Sequence, residues 1–360
     1  MTVILNARFL TQPVSGVQRF AENIAAELLT MRDDVVLAAP MGAKPRTDGP
    51  LSRAPVEHVG RFRGHLWEQV DLPLYLRSMG NPLLLGLTNT NPVSYENKIS
   101  THHDITYVRF PESYATSFRA LYSVVAPRML RTSKTVLTVS EHSRVDIADH
   151  YGLDPNSISV VHNAPIEPPT EAWSVCGNEP IVRGEYFLTV GSRNLHKNID
   201  RLIEAFLSYR ARSGSVTRLV VVGGSTAAFA TGKSLSISSE GVVFLGRISD
   251  EDLHNVYANA KAFIFPSLYE GFGIPPLEAQ AHGIPVVSSE VASLPEVLAE
   301  SALYFRPRDK ESIIHALNRI DRDDSLREEL VRRGRKNVRR FSWAKSAQQV
   351  VTILDVQLEQ

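Results

Sequence analysis

Short apolar segments alternate with segments of helical periodicity along most of the chain. In the first half, runs rich in β-branched residues or leucine occupy residues 3–5, 35–37, 83–85, 135–139 and 158–161. Helix-like segments such as residues 17–31 and 113–130 lie between them. This alternation is typical of parallel β-sheets covered by helices. It predicts an α/β unit in the first half of the chain.

The periodicity stops between residues 165 and 184, where Pro165, Pro168, Pro169 and Pro180 indicate a linker. The alternation then restarts. Strands are predicted at residues 186–190, 219–222, 242–245, 262–265 and 286–287, with helices from about residues 198, 249 and 275. Helical segments near residues 310–320, 325–338 and 344–356 follow, with no strand after about residue 305. We therefore expect two α/β domains.

Composition supports two globular domains and disfavours some classes of protein. The 360 residues exceed what one hydrophobic core usually organises, and 43% are hydrophobic and 22% charged, as in ordinary globular proteins. Lys plus Arg and Asp plus Glu both number 39, so nucleic-acid binding would need a local basic patch. We expect no nucleic-acid partner.

The cysteine content and the first residues suggest a cytoplasmic protein. Cys176 is the only cysteine, which rules out an intrachain disulfide and a cysteine-based zinc site and suits a reducing compartment. The first residues lack the basic start and sustained apolar stretch of a signal peptide. No window approaches the roughly 18 apolar residues of a spanning helix, so any membrane contact is expected to be peripheral.

The most informative segment, residues 265–279, reads as a strand end, a glycine-bearing turn and a helix start. Ligands of open α/β sheets collect at such an edge. Gly271 and Gly273 permit close approach of the backbone to a ligand. Glu270 and Glu278 can each accept hydrogen bonds from a vicinal diol, which favours a sugar ligand. The alternative is a solvated pair in which Glu278 only complements the helix dipole.

A second polar segment, residues 190–198, also follows a strand and precedes a helix. Arg193 and Lys197 would place positive charge at the sheet edge. Two fixed cations can stabilise a departing diphosphate without a metal ion. An exposed basic loop is the alternative interpretation.

In the first half, Gly16 lies at the start of a helix, and His102 and His103 follow a strand-like stretch. Adjacent side chains of an extended chain point to opposite faces, and no cysteine could complete a zinc site with them. We favour a ligand contact for this pair over a structural role or a metal site.

Two segments resemble known functional motifs, but we assign neither of them that function, and a third motif is absent. Residues 231–234, Thr-Gly-Lys-Ser, resemble the end of a P-loop but have Ala227 at the position of its first glycine. The acidic triplet at residues 250–252 follows Ser249, as expected of a capped helix start rather than a metal site. No Gly-x-Gly-x-x-Gly fingerprint of an NAD-binding domain follows any predicted strand.

Taken together, these motifs resemble the retaining, GT-B-fold glycosyltransferases of family 4, the group 1 glycosyl transferases. The resemblance covers nearly the whole chain. It rests on Glu270 and Glu278 with seven residues between them, on Gly191, Arg193, Lys197 and Asn198, and on the segments at residues 139–143 and 341–343.

The resemblance implies an α/β fold of two Rossmann-like domains facing a cleft. Residues 1–165 would bind the acceptor and residues 166–342 the nucleotide-sugar. The last helix, residues 343–360, would cross back to the first domain. Ala164 stands where relatives commonly have glycine, so Asn163 is given no role.

The resemblance also implies roles for individual residues. Arg193 and Lys197 would bind the donor diphosphate, and Glu278 the ribose. The donor sugar would be held by Glu270 and by the backbone of Gly271, Phe272, Gly273 and Ile274. His103 would approach it from the first domain, and Gly16 would close over the phosphates.

The implied function is a metal-independent transfer of a hexose, with retention of configuration, from a nucleotide-sugar to a saccharide or lipid-linked saccharide. No cofactor is expected. GDP-mannose is the favoured donor, and UDP-linked glucose, galactose or N-acetylglucosamine are the alternatives. A GT-B epimerase or phosphorylase and a non-catalytic sugar-nucleotide binder are further alternatives, and the sequence predicts no particular oligomeric state.

Residues 98–134 combine an excess of cations with interleaved apolar residues. The cations are Lys98, Arg109, Arg119, Arg128, Arg131 and Lys134, against Asp104 and Glu112. The apolar residues include Phe118, Tyr122, Met129 and Leu130. Two interpretations stay open, a core-facing helix with a solvated basic edge and a peripheral membrane surface at the inner face of the membrane.

Overall fold

The structure, a computed structural model, describes residues 2–166, 180–223, 236–237 and 241–359. The chain divides into two compact units, one of Met1–Asn163 with Phe341–Gln360 and one of Ala164–Arg340. Cys176 and the P-loop-like segment at residues 231–234 lie outside the described residues.

The first unit contains a parallel sheet whose strand order is β3-β2-β1-β4-β5-β6-β7. Its strands are β1 (Val3–Asn6), β2 (Val35–Pro40), β3 (Val56–Val59), β4 (Leu83–Gly86), β5 (Lys98–Thr101), β6 (Thr135–Thr138) and β7 (Ile158–Val160). Strands β1 and β4 are buried along their whole length, as expected when helices cover both faces of a parallel sheet.

The last helix of the chain belongs to the first unit. The helices of this unit are α1 (Gly16–Met31), α2 (Gly64–Leu66), α3 (Leu72–Ser78), α4 (Thr106–Arg109), α5 (Thr116–Thr132), α6 (Glu141–Tyr151) and α13 (Trp343–Leu358). The Trp343 ring lies edge-on to Phe20 of α1, with 6.2 Å between ring centroids. Ser342 precedes α13 and caps its start, where its hydroxyl accepts a hydrogen bond from the Lys345 N–H at 3.2 Å.

The second unit repeats this plan with the strand order β10-β11-β9-β8-β12-β13-β14. Its strands are β8 (Tyr186–Val190), β9 (Arg218–Val222), β10 (Ser236–Ile237), β11 (Val242–Gly246), β12 (Ala262–Phe265), β13 (Val286–Ser289) and β14 (Ala302–Phe305). Strand β10 pairs antiparallel with β11, and the other described pairs of this sheet are parallel.

The helices of the second unit pack on this sheet through apolar faces. They are α7 (Ile199–Ser213), α8 (Asp250–Ala258), α9 (Ile274–Ala281), α10 (Leu294–Leu298), α11 (Lys310–Arg322) and α12 (Asp324–Val338). The Ser249 hydroxyl accepts a hydrogen bond from the Asp252 N–H at 3.0 Å. This bond confirms the helix-cap interpretation of the acidic triplet.

The α/β prediction is confirmed, and most predicted elements end within a few residues of the observed ones. Strands β3, β5, β10 and β14 were not among the predicted strands. Strand β5 is the most instructive of the four, because it begins at Lys98, whose side chain is fully buried. Its ammonium donates to the Tyr95 carbonyl and to Thr132 Oγ1, and burial lowers its pKa to about 8.

The proposed membrane surface needs correction at several positions. Lys98 is buried, and Arg109 is paired with Asp146. Tyr122, Met129 and Leu130 are buried, so these apolar side chains are not available to a membrane. Arg109 stays exposed beside its partner, and the polar edge of α5 with the loop after it carries the other exposed cations of this segment: Arg119, Arg128, Arg131 and Lys134. None of the helices described has the length and apolar character needed to cross a bilayer.

Candidate active site

Two loops of the second unit leave the sheet beside each other. Strands β8 and β12 are neighbours, but β8 connects to β9 on one side and β12 to β13 on the other. Such a pair is a topological switch point, where ligands bind at the carboxyl ends of the strands. The loop after β8 carries Arg193 and Lys197, and the loop after β12 carries Glu270.

Lys197 and Glu270 meet at this point. The Lys197 ammonium donates to Glu270 Oε1 at 2.6 Å, and the Ser267 hydroxyl donates to the same oxygen at 2.6 Å. The side chains of Lys197 and Glu270 are 22% and 12% exposed. Because both donors use Oε1, the carboxylate is fixed in orientation and Oε2 is left for a ligand hydroxyl.

The two loops are tied to each other and to the rest of the unit. The Leu268 N–H donates to the His196 carbonyl at 2.7 Å. The buried Ser293 hydroxyl lies 2.9 Å from the Glu270 carbonyl oxygen and 3.0 Å from that of Phe272. These bonds fix the backbone on both sides of the Lys197–Glu270 pair.

Residues 271–274 lead from Glu270 into α9. Gly271, Phe272 and Gly273 are buried, and α9 begins at Ile274. Gly273 has a φ of +102°, and a Cβ at this position would lie 2.7 Å from Leu294 Cδ2. The backbone conformation therefore requires glycine, and an added Cβ would also displace the end of the buried Leu294 side chain.

Glu278 and Arg193 do not belong to the Lys197–Glu270 ion pair and have other partners. Glu278 lies on α9, where its Oε2 accepts a hydrogen bond from the Tyr257 hydroxyl at 3.2 Å. Arg193 is 42% exposed, pairs with Asp200, and has its Cζ 6.0 Å from the centre of the Phe244 ring. An exposed pair contributes only about 0–1 kcal/mol, so a diphosphate can replace Asp200 as the partner of Arg193.

In the first unit, His102 and His103 follow β5. His103 Nε2 lies 3.1 Å from the Leu87 carbonyl, and its backbone N–H donates to Asn89 Oδ1 at 2.7 Å. Burial lowers the pKa of His103. The ring is therefore neutral, with Nε2–H donating to Leu87 and Nδ1 able to accept. Gly16 is exposed and is the first residue of α1.

Sequence reasoning missed a buried charged cluster at the switch point of the first sheet, beside β1 and β4. Arg8 Nε and Asn6 Nδ2 both donate to Glu68 Oε1 at 2.9 Å, and Glu68 is fully buried. Burial disfavours ionisation of Glu68, but the Arg8 guanidinium holds its pKa at about 2. Polar residues directly after the first strand were a usable signal for Asn6 and Arg8, whereas Glu68 lies in no motif.

The described residues bring together no group of three or more His, Cys, Asp or Glu side chains that could hold a metal ion. Lys197 places a positive charge beside Glu270, and the Phe265 ring lies behind it. The Lys197 ammonium lies 5.8 Å from the centre of the Phe265 ring.

Two family models match the chain. The model described as glycosyl transferases group 1 matches residues 178–337, and the model described as glycosyltransferase family 4 matches residues 14–164. The matched segments contain all the candidate site residues named above from either unit, except Asn6 and Arg8.

Among curated proteins, the O-antigen chain mannosyltransferase B of Escherichia coli is 30% identical over 281 residues, covering 72% of this chain and 70% of that protein. The O-antigen chain mannosyltransferase RfbU of Salmonella typhimurium is 31% identical over 272 residues, covering 73% and 72%. The MMP alpha-(1->4)-mannosyltransferase of Mycolicibacterium hassiacum is 30% identical over 289 residues, covering 75% and 67%.

Solved structures share the fold along the whole chain. A sucrose-phosphate synthase from Thermosynechococcus elongatus has a TM-score of 0.71 at 18% identity, covering 99% of both chains. WaaG, a glycosyltransferase involved in lipopolysaccharide biosynthesis, has a TM-score of 0.71 at 16% identity, covering 98% of this chain and 99% of its own. With these matches, the chain belongs to the group 1, family 4 glycosyltransferases and is a glycosyltransferase of the GT-B fold.

Proposed function

We propose that this glycosyltransferase moves mannose from GDP-mannose to a hydroxyl group of a saccharide or lipid-linked saccharide, with retention of configuration and without a metal ion. The observation that carries the proposal is the Lys197–Glu270 pair, braced by Ser267, at the switch point of the second sheet. It combines a cation for the leaving group with an oriented carboxylate for the sugar.

In the reaction, the bond between C1 of the sugar and the diphosphate oxygen breaks, and negative charge develops on the departing GDP. An ammonium has three donors, so Lys197 can contact the diphosphate while one donor stays on Glu270. Arg193 can exchange Asp200 for the same diphosphate. The acceptor hydroxyl oxygen forms the new bond to C1 on the face that GDP leaves, and its proton passes to the departing diphosphate oxygen of GDP.

The donor sugar and ribose would be recognised by oriented acceptors and by backbone groups. Glu270 Oε2 and the backbone of residues 271–274 would hold the sugar hydroxyls, and Glu278 the ribose hydroxyls. In the first unit, we propose that His103 Nδ1 accepts a hydrogen bond from a saccharide hydroxyl. Carboxylates discriminate sugars by hydrogen bonding, which apolar contacts cannot do for epimers.

Mannose is proposed because three relatives that align over most of their length are named mannosyltransferases, two of them of O-antigen chains. The same names support a saccharide acceptor in polysaccharide biosynthesis. Transfer of a UDP-linked sugar is the alternative for the same site, and binding without turnover is a second alternative.

We also propose a cytoplasmic location with peripheral contact at the inner face of the membrane, through the exposed cations of α5 and the following loop. Each surface cation near anionic lipid contributes about 1 kcal/mol. Co-sedimentation with anionic vesicles at low salt should be lost on Arg128→Glu with Arg131→Glu. Binding that is absent, or unchanged by both substitutions, would contradict this contact.

A thermal-shift panel tests the donor. GDP and GDP-mannose should raise the unfolding temperature more than UDP, ADP and their sugars, because a ligand at ~100 times its Kd adds roughly 2.7 kcal/mol of stability. A shift with UDP or UDP-sugars instead would establish the alternative donor. No shift with any nucleotide would contradict the proposed function.

A further inference from the structure

Glu278 is held at both its carboxylate and its backbone. The buried Tyr257 of α8 donates its hydroxyl to Glu278 Oε2 at 3.2 Å. His282, which follows α9, reaches the Glu278 carbonyl with its backbone N–H at 3.1 Å and with Nδ1 at 2.7 Å. Tyr257 therefore contacts the carboxylate of Glu278 and His282 contacts its carbonyl; the Tyr257 hydroxyl lies closer to Glu278 Oε2 than to the Pro275 carbonyl oxygen, which is 3.4 Å away.

The two aromatic rings that hold Glu278 also pack on each other. Tyr257 and His282 are stacked, with 4.9 Å between ring centroids and 23° between planes. His282 Nδ1–H donates to Glu278, so Nε2 accepts, and His254 Nδ1 donates to it at 2.9 Å. Burial lowers the pKa of His282, which favours this neutral form.

We propose that Tyr257 is a positioning residue that orients Glu278 toward the ribose hydroxyls of the donor nucleotide, with the His282 ring as its packing support. This inference rests on the ribose-binding role of Glu278 in the proposed function. The terminal torsion of a glutamate is otherwise broad, so an unsupported carboxylate would face a vicinal diol only part of the time. The bond to Oε2 restricts that torsion, and an ionised carboxylate has several lone pairs with which it can accept from the diol.

The inference predicts selectivity for ribonucleotides over deoxyribonucleotides. The affinities of GDP, 2′-deoxy-GDP and 3′-deoxy-GDP are measured by calorimetry for the wild type, Tyr257→Phe and Glu278→Ala. Losing a hydrogen bond to a charged group lowers affinity by about tenfold or more. We therefore expect the wild type to bind GDP at least about tenfold more tightly than either deoxy analogue. Glu278→Ala should remove it. Tyr257→Phe should reduce it by about three- to tenfold, with turnover at saturating donor within about twofold.

Tyr209→Phe is the matched control. Tyr209 is also a buried tyrosine of the second unit, and its hydroxyl also donates to a carboxylate, that of Asp321. This variant should keep the wild-type preference for GDP. If the thermal-shift panel favours uridine nucleotides, the same series is measured with UDP and its deoxy analogues.

The outcomes separate the two claims. A wild-type preference in Glu278→Ala would contradict the ribose role of Glu278 itself. If Glu278→Ala loses the preference for GDP but Tyr257→Phe keeps it, only the inference about Tyr257 is overturned. The same holds if Tyr257→Phe weakens the binding of GDP and of both deoxy analogues equally. Should Tyr257→Phe fail to fold, His282→Ala keeps the hydroxyl and removes its packing. That variant should lose part of the preference, and an unchanged preference would overturn the inference.

Discussion

The Lys197 ammonium and Glu270 Oε1 lie 2.6 Å apart although the two residues are separated by 73 positions in the sequence. They come from loops after two neighbouring strands, β8 and β12. The pair is mostly sheltered from solvent, with 22% of the lysine side chain and 12% of the glutamate side chain exposed. The low exposure would strengthen the interaction of Lys197 with the proposed diphosphate, because water screens the charge less.

Lys197→Ala should lower kcat by about 10²–10³, because it removes a preorganised charge that acts when the sugar–phosphate bond breaks. The affinity for GDP should fall much less. Kinetics at saturating donor and calorimetry with GDP measure the two effects.

Lys261→Ala provides the matched control for Lys197. Lys261 pairs with Glu185 at 2.8 Å and Asp321 at 2.9 Å, and its side chain is 16% exposed. This variant should lose stability without losing turnover. Equal losses of turnover in the two lysine variants would remove Lys197 from the site.

Gly273→Ala should reduce both stability and turnover. A non-glycine residue in the left-handed region costs about 1–2 kcal/mol, and here the added Cβ would also press on the buried Leu294. Gly214 has a φ of +67° and nothing within 4 Å of an added Cβ, so Gly214→Ala should show the conformational cost alone. Urea unfolding and kcat measure the comparison, and equal effects of the two substitutions would contradict the steric requirement at Gly273.

Stability should fall as the pH drops from about 6.5 to about 4, partly because of His102. Burial lowers the pKa of His102 from 6.5 to about 4, and its Nε2 accepts from the Tyr107 hydroxyl at 3.0 Å. Above pH 6.5 both folded and unfolded states are neutral at this residue. Below it, the unfolded chain binds a proton that the folded chain does not, so up to about 3 kcal/mol of stability is lost by pH 4.

Urea unfolding at several pH values tests the role of His102. His102→Gln should flatten the decline between pH 6.5 and 4. His315→Gln, at an exposed histidine of α11, should leave it unchanged. If the stability of His102→Gln falls with pH as steeply as that of the wild type, groups other than His102 cause the decline.

Transfer should survive EDTA, because in the proposed function Arg193 and Lys197 would supply the charge that a metal ion would otherwise bring to the diphosphate. Turnover is measured before and after chelation and after adding Mg²⁺ or Mn²⁺. Activity that chelation abolishes and either ion restores would contradict metal-independent transfer.

The sequence predicted those features that local chemistry determines. Apolar runs identified the strands on which the site is built, and the chemistry of Glu270 and Lys197 indicated a sugar diphosphate ligand. The ion pair between them was not predicted, because it depends on β8 and β12 being neighbours in the sheet. Tyr257 and Ser267 were also missed, since a helical tyrosine or a loop serine has no distinguishing pattern until its hydroxyl is seen to reach a carboxylate.

Release of GDP from GDP-mannose by the wild type and Glu270→Gln, measured beside their GDP affinities, tests the account most directly. Glutamine keeps the size of the side chain but loses the charge that Lys197 and Ser267 hold in place. We predict GDP release by the wild type, about 10²–10³ slower release by Glu270→Gln, and similar GDP affinities for both. Release by Glu270→Gln at the wild-type rate, or no release by the wild type from GDP-mannose or any UDP-sugar, would contradict the account.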